Sequence, residues 1–271
     1  MEVFSDFEGF DAWMAYHGQH VGEALQTCTG AVETMLSRGF KEPLTGYASH
    51  PDEIGATSSL REGMTFRGIS SRQRSVMRDI EIICEENRLH SPRIFAAEAV
   101  TPFALRLAGL FPRFLGSEYT TDPEKLDWLY PIPREDLCDL SLKSDMFDVI
   151  VTNEVLEHVP SIDAALAEIY RVLRPGGWHV GTVPFYYLSE KSERRAILRN
   201  DDIVHLLEPE YHGDPMNNEG GALVFEIPGW DIIERAKAAG FSRAFMRHRI
   251  SATYGVVCEN IGGVFTFCCQ K

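Results

Sequence analysis

Two short stretches of this chain concentrate side chains able to move protons or hold a ligand. The first, Asn153-Glu154-Val155-Leu156-Glu157-His158, follows an apolar, β-branched run from Phe147 to Val151. Such a run is the pattern of a parallel strand covered on both faces. Ligands of open parallel sheets sit beyond the carboxyl ends of the strands, which puts Asn153, Glu154, Glu157 and His158 at the mouth of a site. The second stretch, Pro209-Glu210-Tyr211-His212-Gly213-Asp214-Pro215, continues into Asn217-Asn218-Glu219-Gly220-Gly221. Its short side chains, glycines and clustered His, Asp, Glu and Tyr suit a loop that shapes a polar pocket. Histidine titrates near neutrality, so His158 and His212 are candidate general bases, with Asp214 orienting His212 or acting in its place. His158 could equally do no more than buttress its loop. A metal held by His212 and Asp214 would need further ligands; Glu210 and His205 are nearby in sequence, and no metal site is assigned.

These residues need a scaffold. Met146 to Phe185 reads as a buried strand, a polar loop, an amphipathic helix, a turn and a second buried strand. Ser161 or Asp163 can cap the helix, and Ala165, Leu166, Ile169, Tyr170, Val172 and Leu173 recur at helical spacing. Arg174-Pro175-Gly176-Gly177 stops it, since proline cannot continue a helix and glycine accepts the left-handed exit. A strand, helix and strand of this length form one right-handed crossover of a parallel sheet. Upstream, strands are expected over 93–98, 113–118, around Leu137 and over 147–152, with helices over 102–110 and 122–129. Downstream follow a helix over 161–173, a strand over 178–183, a helix over 230–239 ended by Gly240, and two final strands, 243–249 and 263–270. The last two lack an intervening helix and should pair antiparallel. The alternation argues a doubly wound α/β sheet. Residues 1–45 read as helical, 46–70 as loop or small strands, and 71–88 as a helix. The expected organisation is a mainly helical extension over 1–90 and one domain over 91–271. The insertion over 184–229 is too long for a plain connection and suits a lid.

With the elements in place, FDVIVTNEVLEHV followed by EIYRVLRPGGWHVGTVP resembles the second half of a class I S-adenosylmethionine-dependent methyltransferase. The resemblance implies a seven-stranded Rossmann-like sheet with an antiparallel last strand, and S-adenosylmethionine as cofactor. It places the cofactor on the loop after the first core strand, here Glu98-Ala99-Val100-Thr101, although every glycine expected there is replaced. It assigns Glu118, followed by Tyr119, to the ribose hydroxyls, where a carboxylate accepts two hydrogen bonds at fixed geometry. Asp136 falls where the adenine amino group is received, with Leu137 offering backbone to the ring, and Asn153 and Glu154 fall on the cofactor side. Glu98 has an ordinary alternative as a strand-end carboxylate capping the next helix. The segment IFAAEAVTPFALRLAGLFPRFLGSEY is similar to one subgroup, bacterial methyltransferase-like proteins often associated with polysaccharide genes. That subgroup carries a TEA-x-TP-like segment in place of the glycine motif, and the same EYHGDP. Its SRQR-like helix is kept here from Ser71 to Arg74, from which Arg72 or Arg74 could reach the cofactor carboxylate. The resemblance thus implies methyl transfer to a small-molecule or saccharide acceptor, most simply O-methylation. The alternatives are a non-catalytic regulator or scaffold on the same fold, and other chemistry with the same cofactor, such as cyclisation or aminopropyl transfer.

Composition bounds these readings. A chain of 271 residues with 44% hydrophobic content can bury one good core and a small appendage. The formal net charge of −14 disfavours nucleic acid as a partner, because no basic stripe offsets phosphates. The six cysteines are scattered without a C-x-x-C pair, so free buried thiols are expected rather than disulfides or a metal knuckle. No run approaches the roughly 20 apolar residues of a membrane span. The acidic start lacks the marks of a signal peptide, so a cytoplasmic protein is expected. The first 60 residues carry no motif; they could cover the active site or form a homodimer contact.

Overall fold

A computed structural model of the chain describes residues 1–200, 202–214, 216–217 and 220–271. Among the described residues the main sheet holds β1 (Glu2–Phe7), β2 (Ile94–Ala96), β3 (Phe114–Gly116), β4 (Phe147–Asn153), β5 (Leu173–Thr182), β6 (Arg243–Ser251) and β7 (Val264–Gln270), in the order β1-β6-β7-β5-β4-β2-β3. β2 runs parallel to both β3 and β4, and β4 parallel to β5, while β7 is antiparallel. This is the expected doubly wound α/β sheet with an antiparallel last strand.

By internal contacts the chain forms two compact units. One is Met1–His90 with Phe245–Cys268, and the other is Ser91–Ala244 with Cys269–Lys271. In the second unit every residue of β4 is buried, which explains why its sequence shows no polar alternation. The helix α5 (Ile162–Val172), next in the chain after α4 (Pro123–Leu129), begins where the Ser161 hydroxyl accepts the Ala164 amide at 3.2 Å. It buries Ile162, Ala165, Leu166, Ile169 and Val172, one face at helical spacing. Its exit is abrupt. Leu173 already pairs with Phe147, and the Arg174–Gly177 turn lies within β5 as an irregularity before Trp178 pairs with Val149. Gly176 takes φ +78°, the left-handed backbone that a side chain would oppose.

The first unit contains the long helix α1 (Phe10–Arg38) and α2 (Ser71–Glu86), whose start is closed by a capping box of Ser70 and Gln73. Here the structure corrects the helical reading of residues 1–45, because β1 precedes α1 and pairs antiparallel with β6. Only Phe7 of β1 is buried, so no apolar alternation announces the strand. Charge holds it instead. Asp6 lies opposite Arg247 and receives two hydrogen bonds from it, at 2.6 and 2.7 Å, while Glu2 is bonded to Arg249. Both arginines also reach the buried Asp79 of α2, which accepts the Thr266 hydroxyl at 2.6 Å.

A second correction concerns Leu137. No strand forms there; only isolated bridges join Glu118 to Arg134 and Asp136 to Asp139. Pro131 and Pro133 supply no amide, and the acidic side chains take the nearby ones: Asp136 accepts Cys138 N at 2.8 Å and Glu135 accepts Ser141 N at 2.8 Å. Such local side-chain bonds compete with strand pairing and here prevail. The insertion over 184–229 is built of short antiparallel pairs: Glu193–Arg194 with Glu226–Ile227, Ala196–Arg199 with Asp202–His205, and Tyr211–His212 with Ala222–Leu223. The cysteines are free thiols, four of them buried. No helix among the described residues is long and apolar enough to cross a membrane.

Two histidines are buried neutral. His179 in β5 bonds to the Thr152 hydroxyl at 2.8 Å, and His248 in β6 to the Ile261 carbonyl at 3.1 Å. Burial lowers His179 to about 3 and His248 to about 4. The unfolded chain therefore binds more protons below about pH 6.5, and stability present above that pH is lost as the pH falls. Acidification from pH 7 to 5 should cost about 2 kcal/mol for each histidine. Denaturant titrations of the wild type and His248→Gln at both pH values check this; equal pH slopes would remove His248 from the account.

Candidate active site

β2 leads through Glu98 into the helix α3 (Pro102–Leu110), and Thr101 governs that entry. Its hydroxyl accepts the Ala104 amide at 3.1 Å and donates to Glu98, while Pro102 fills the first turn, where no amide partner is needed. Glu98 also accepts the Asn153 side-chain amide at 2.7 Å. One buried carboxylate thus ties the end of β2, the start of α3 and the end of β4. Where the loop passes β3, the close contact is made possible by a glycine on the strand. A β-carbon on Gly116 of β3 would lie 2.8 Å from the Glu98 carbonyl oxygen and 3.0 Å from Ala99 Cα.

Glu118 lies just beyond the end of β3, and Asp136 in the irregular segment that follows α4. Glu118 Oε1 accepts the amides of Ala99 at 2.7 Å and Val100 at 3.0 Å, so the carboxylate closes on the loop. A carboxylate offers about four lone-pair sites, which leaves Glu118 two for a diol. Asp136 is half-buried and Leu137 buried, while Val100 and Tyr119 are exposed. The Arg134 guanidinium lies 5.0 Å from the Tyr119 ring centroid. Asn153 Oδ1 is buried and, among the described residues, has no hydrogen-bond partner. It is an acceptor suited to a ligand donor.

Beyond Asn153 the backbone turns sharply. Glu154 takes φ +53°, a left-handed conformation unusual outside glycine, and its amide donates to Thr182 O at 2.8 Å. A short helical turn, Leu156–His158, then drives Glu157 inward until it is fully buried. Two imidazoles face its Oε1, His158 Nε2 at 3.5 Å and His212 Nδ1 at 3.7 Å. The rings stand nearly perpendicular, 87°, with centroids 5.2 Å apart. His158 Nδ1 contacts Leu223 O at 2.9 Å, and His212 Nε2 contacts Glu210 Oε1 at 3.1 Å. The insertion makes this possible. His212 sits opposite Ala222 in its short antiparallel pair, and Phe225 N donates to Glu157 O at 2.8 Å. Arg195 holds Glu210 from the far side at 3.2 Å. The Glu157 carboxylate pushes the His212 imidazole up to about 9, against the effect of its own burial and with help from Glu210. Burial in turn pushes the Glu157 carboxyl up.

Of the sequence-predicted residues, the structure brings Glu98, Thr101 and Asn153 into one bonded group, folds Glu118 onto the amides of Ala99 and Val100 beside it, and brings His158 and His212 into another. Asp214 is not in the second group; it accepts the Met216 amide at 2.7 Å and shapes the turn after His212. Pro215, Asn218 and Glu219 of the same motif lie outside the described residues. Arg72 and Arg74 belong to the first unit. Arg72 pairs with Glu62 at 2.7 Å. Arg74 is fully buried and donates to the carbonyls of Met64, Ile69, Tyr254 and Gly255 at 2.5–3.0 Å. Sequence reasoning placed Glu157 at the mouth of a site without giving it a role. The signal was adjacency to His158, but only the fold shows that the carboxylate turns inward to meet His212.

Residues 118–181 match a family model described as a methyltransferase domain. That segment contains Glu118, Asp136, Asn153, Glu154, Glu157 and His158, and S-adenosylmethionine is the cofactor of the class. The chain is 33% identical over 132 residues to an arsenite methyltransferase of Aquipseudomonas alcaligenes, covering 47% of this chain and 32% of that protein. It is 29% identical over 140 residues to a demethylmenaquinone methyltransferase of Streptomyces avermitilis, covering 50% and 58% respectively. The chain therefore spans less than two thirds of the length of either relative. Among solved structures, DesVI of Streptomyces venezuelae is similar at 15% identity and a TM-score of 0.47, covering 73% of this chain and 91% of that one. The residues present fit the cofactor: the Asn153 oxygen lacks a partner, and Glu118 keeps lone pairs beyond those its loop uses.

The Thr101 cap gives a direct check on the loop. Thr101→Ala should destabilise the protein by about 1 kcal/mol in denaturant titration. Thr101→Ser should lie within a few tenths of wild type, since the hydroxyl is kept.

Proposed function

We propose that this chain is an S-adenosylmethionine-dependent methyltransferase that methylates a hydroxyl of a small-molecule or saccharide acceptor. The observation that carries the reading is the loop from Asn153 to His158. Its first residue is bonded to Glu98 on the cofactor side, and its last two residues form the Glu157–His158–His212 cluster with the lid insertion. One strand end therefore serves both a cofactor and an acceptor. When bound, S-adenosylmethionine supplies a methyl group on a sulfonium sulfur, open to in-line displacement. The chain's own part is to hold and align. Glu118 receives the ribose hydroxyls, and Asp136 with Leu137 receives the adenine. Val100, Thr101, Tyr119 and Glu154 are assigned to the same cofactor, with Asn153 Oδ1 accepting a cofactor donor.

On the other side, His158 and His212 receive the acceptor hydroxyl, and an imidazole takes its proton as the C–O bond forms and the C–S bond breaks; for His212 that requires the neutral ring, which is populated as the pH rises through about 9. Asp214 acts as a positioning residue through the turn it caps. The relatives named above act on chemically unlike acceptors, arsenite and demethylmenaquinone, so the acceptor class here rests on the polar character of the lid and not on them.

The first test is calorimetric titration with S-adenosylmethionine and S-adenosylhomocysteine. Glu118→Ala should weaken binding by more than about 1 kcal/mol, roughly fivefold. Unchanged affinity would remove the ribose assignment, and absence of binding to a folded, ligand-free sample would overturn the methyltransferase reading. With an acceptor found by screening sugars and hydroxylated metabolites for S-adenosylhomocysteine release, His212→Ala should lower turnover about a hundredfold or more while leaving cofactor affinity nearly intact. Full turnover in that variant would sink the acceptor-side chemistry.

A further inference from the structure

We infer that Glu157, His158 and His212 form a binding site for a divalent transition-metal cation. The three donor atoms, one carboxylate oxygen and two ring nitrogens, all lie within 4.8 Å of one another. Their separations fit an ion. Donors at about 2.0–2.2 Å from a tetrahedral metal stand about 3.3–3.6 Å apart, and His158 Nε2 and His212 Nδ1 lie 3.5 and 3.7 Å from Glu157 Oε1.

The outer contacts aim the lone pairs inward. A carbonyl can only accept, so His158 donates its Nδ1–H to Leu223 O, 2.9 Å away, and presents Nε2 to Glu157. Glu210 accepts from His212 Nε2 at 3.1 Å, which leaves Nδ1 facing the same carboxylate. Histidines that ligate metals are held by such partners, a backbone carbonyl or a carboxylate on the far nitrogen. Three donor atoms then face one another, and one belongs to a carboxylate that is 0% exposed and, among the described residues, has no hydrogen bond to either oxygen. A buried carboxylate is costly without a positive charge beside it, and a bound ion would take the place of the proton on His212.

Two imidazoles and one carboxylate suit zinc or another first-row divalent ion better than magnesium or calcium, which prefer oxygen ligands throughout. Three protein ligands leave coordination positions open, as in catalytic rather than structural sites. An acceptor oxygen could fill one. The site concerns the same cluster as the proposed acceptor chemistry, but it stands on geometry alone and is read out separately.

The test uses untagged full-length protein stripped with a chelator and then dialysed against Zn2+, Mn2+ or Co2+, with bound metal counted by elemental analysis and affinity by calorimetry. One ion per chain is expected, with visible absorption bands of nitrogen-ligated Co2+. Glu157→Gln and His212→Asn should each abolish the stoichiometric site; His212 is part-exposed, so its variant keeps the test alive if the buried substitution unfolds the protein. Glu210→Gln leaves the three ligands in place and should weaken binding about 10- to 100-fold. Failure of the wild type to retain an ion, or retention unchanged in the His212 variant, overturns the metal site. Loss of metal binding with intact S-adenosylmethionine titration would leave the methyltransferase reading standing, and the reverse result would leave the metal site standing alone.

Discussion

A carboxylate with no solvent exposure is the constraint around which the working end of the second unit is arranged. Glu157 is placed inside by a short helical turn that the chain enters through a left-handed residue, Glu154. Burying an ionised carboxylate costs several kcal/mol unless opposite charge meets it. That requirement explains why a stretch remote in sequence must return. His212, 55 residues on, comes back on a two-residue antiparallel pair whose opposite strand offers the Leu223 carbonyl to His158. Glu210 and Arg195 complete the outer ring of charges. Glu157 is the group that both imidazoles face, one from its own turn and one from the insertion.

The loop after β2 is ordered without a glycine of its own. Close passage of backbone over a strand end requires that one side of the contact lack a side chain. In this chain the missing side chain is Gly116 of β3, not a residue of the loop after β2. Thr101 and Glu98 then supply the order that a glycine loop would lack, through a helix cap and a bond to Asn153. The amides of Ala99 and Val100 turn toward Glu118.

The first unit has a different economy, built on buried arginines. Arg74 is surrounded by backbone carbonyls and stacked 4.2 Å from the Phe40 ring centroid, and Arg247 and Arg249 share the buried Asp79. Arginine suits these positions because its planar fork can satisfy several acceptors at once. The SRQR helix that looked like part of a cofactor site is, at Arg74, a bracket that joins the segments Met64–Ile69 and Tyr254–Gly255.

How much could be read in advance follows from the range of the forces involved. Helix α5, the strands β4 and β5 and the Arg174–Gly177 turn were legible, because periodicity, capping and the conformational limits of proline and glycine act within a few residues. The position of Glu118 just past β3 was legible for the same reason, since a strand's end fixes where its next residues lie. β1 was not, because its pairing rests on Asp6 and Glu2 meeting arginines more than 240 residues away. The segment around Leu137 misled in the opposite direction, its side chains taking amides that a strand would have needed. The sequence by itself determined the class of sheet and the loop that carries the polar residues. Only the tertiary structure decided that Glu157 is buried and that His158 and His212 meet there, because burial and convergence are properties of the packed chain and not of any window along it.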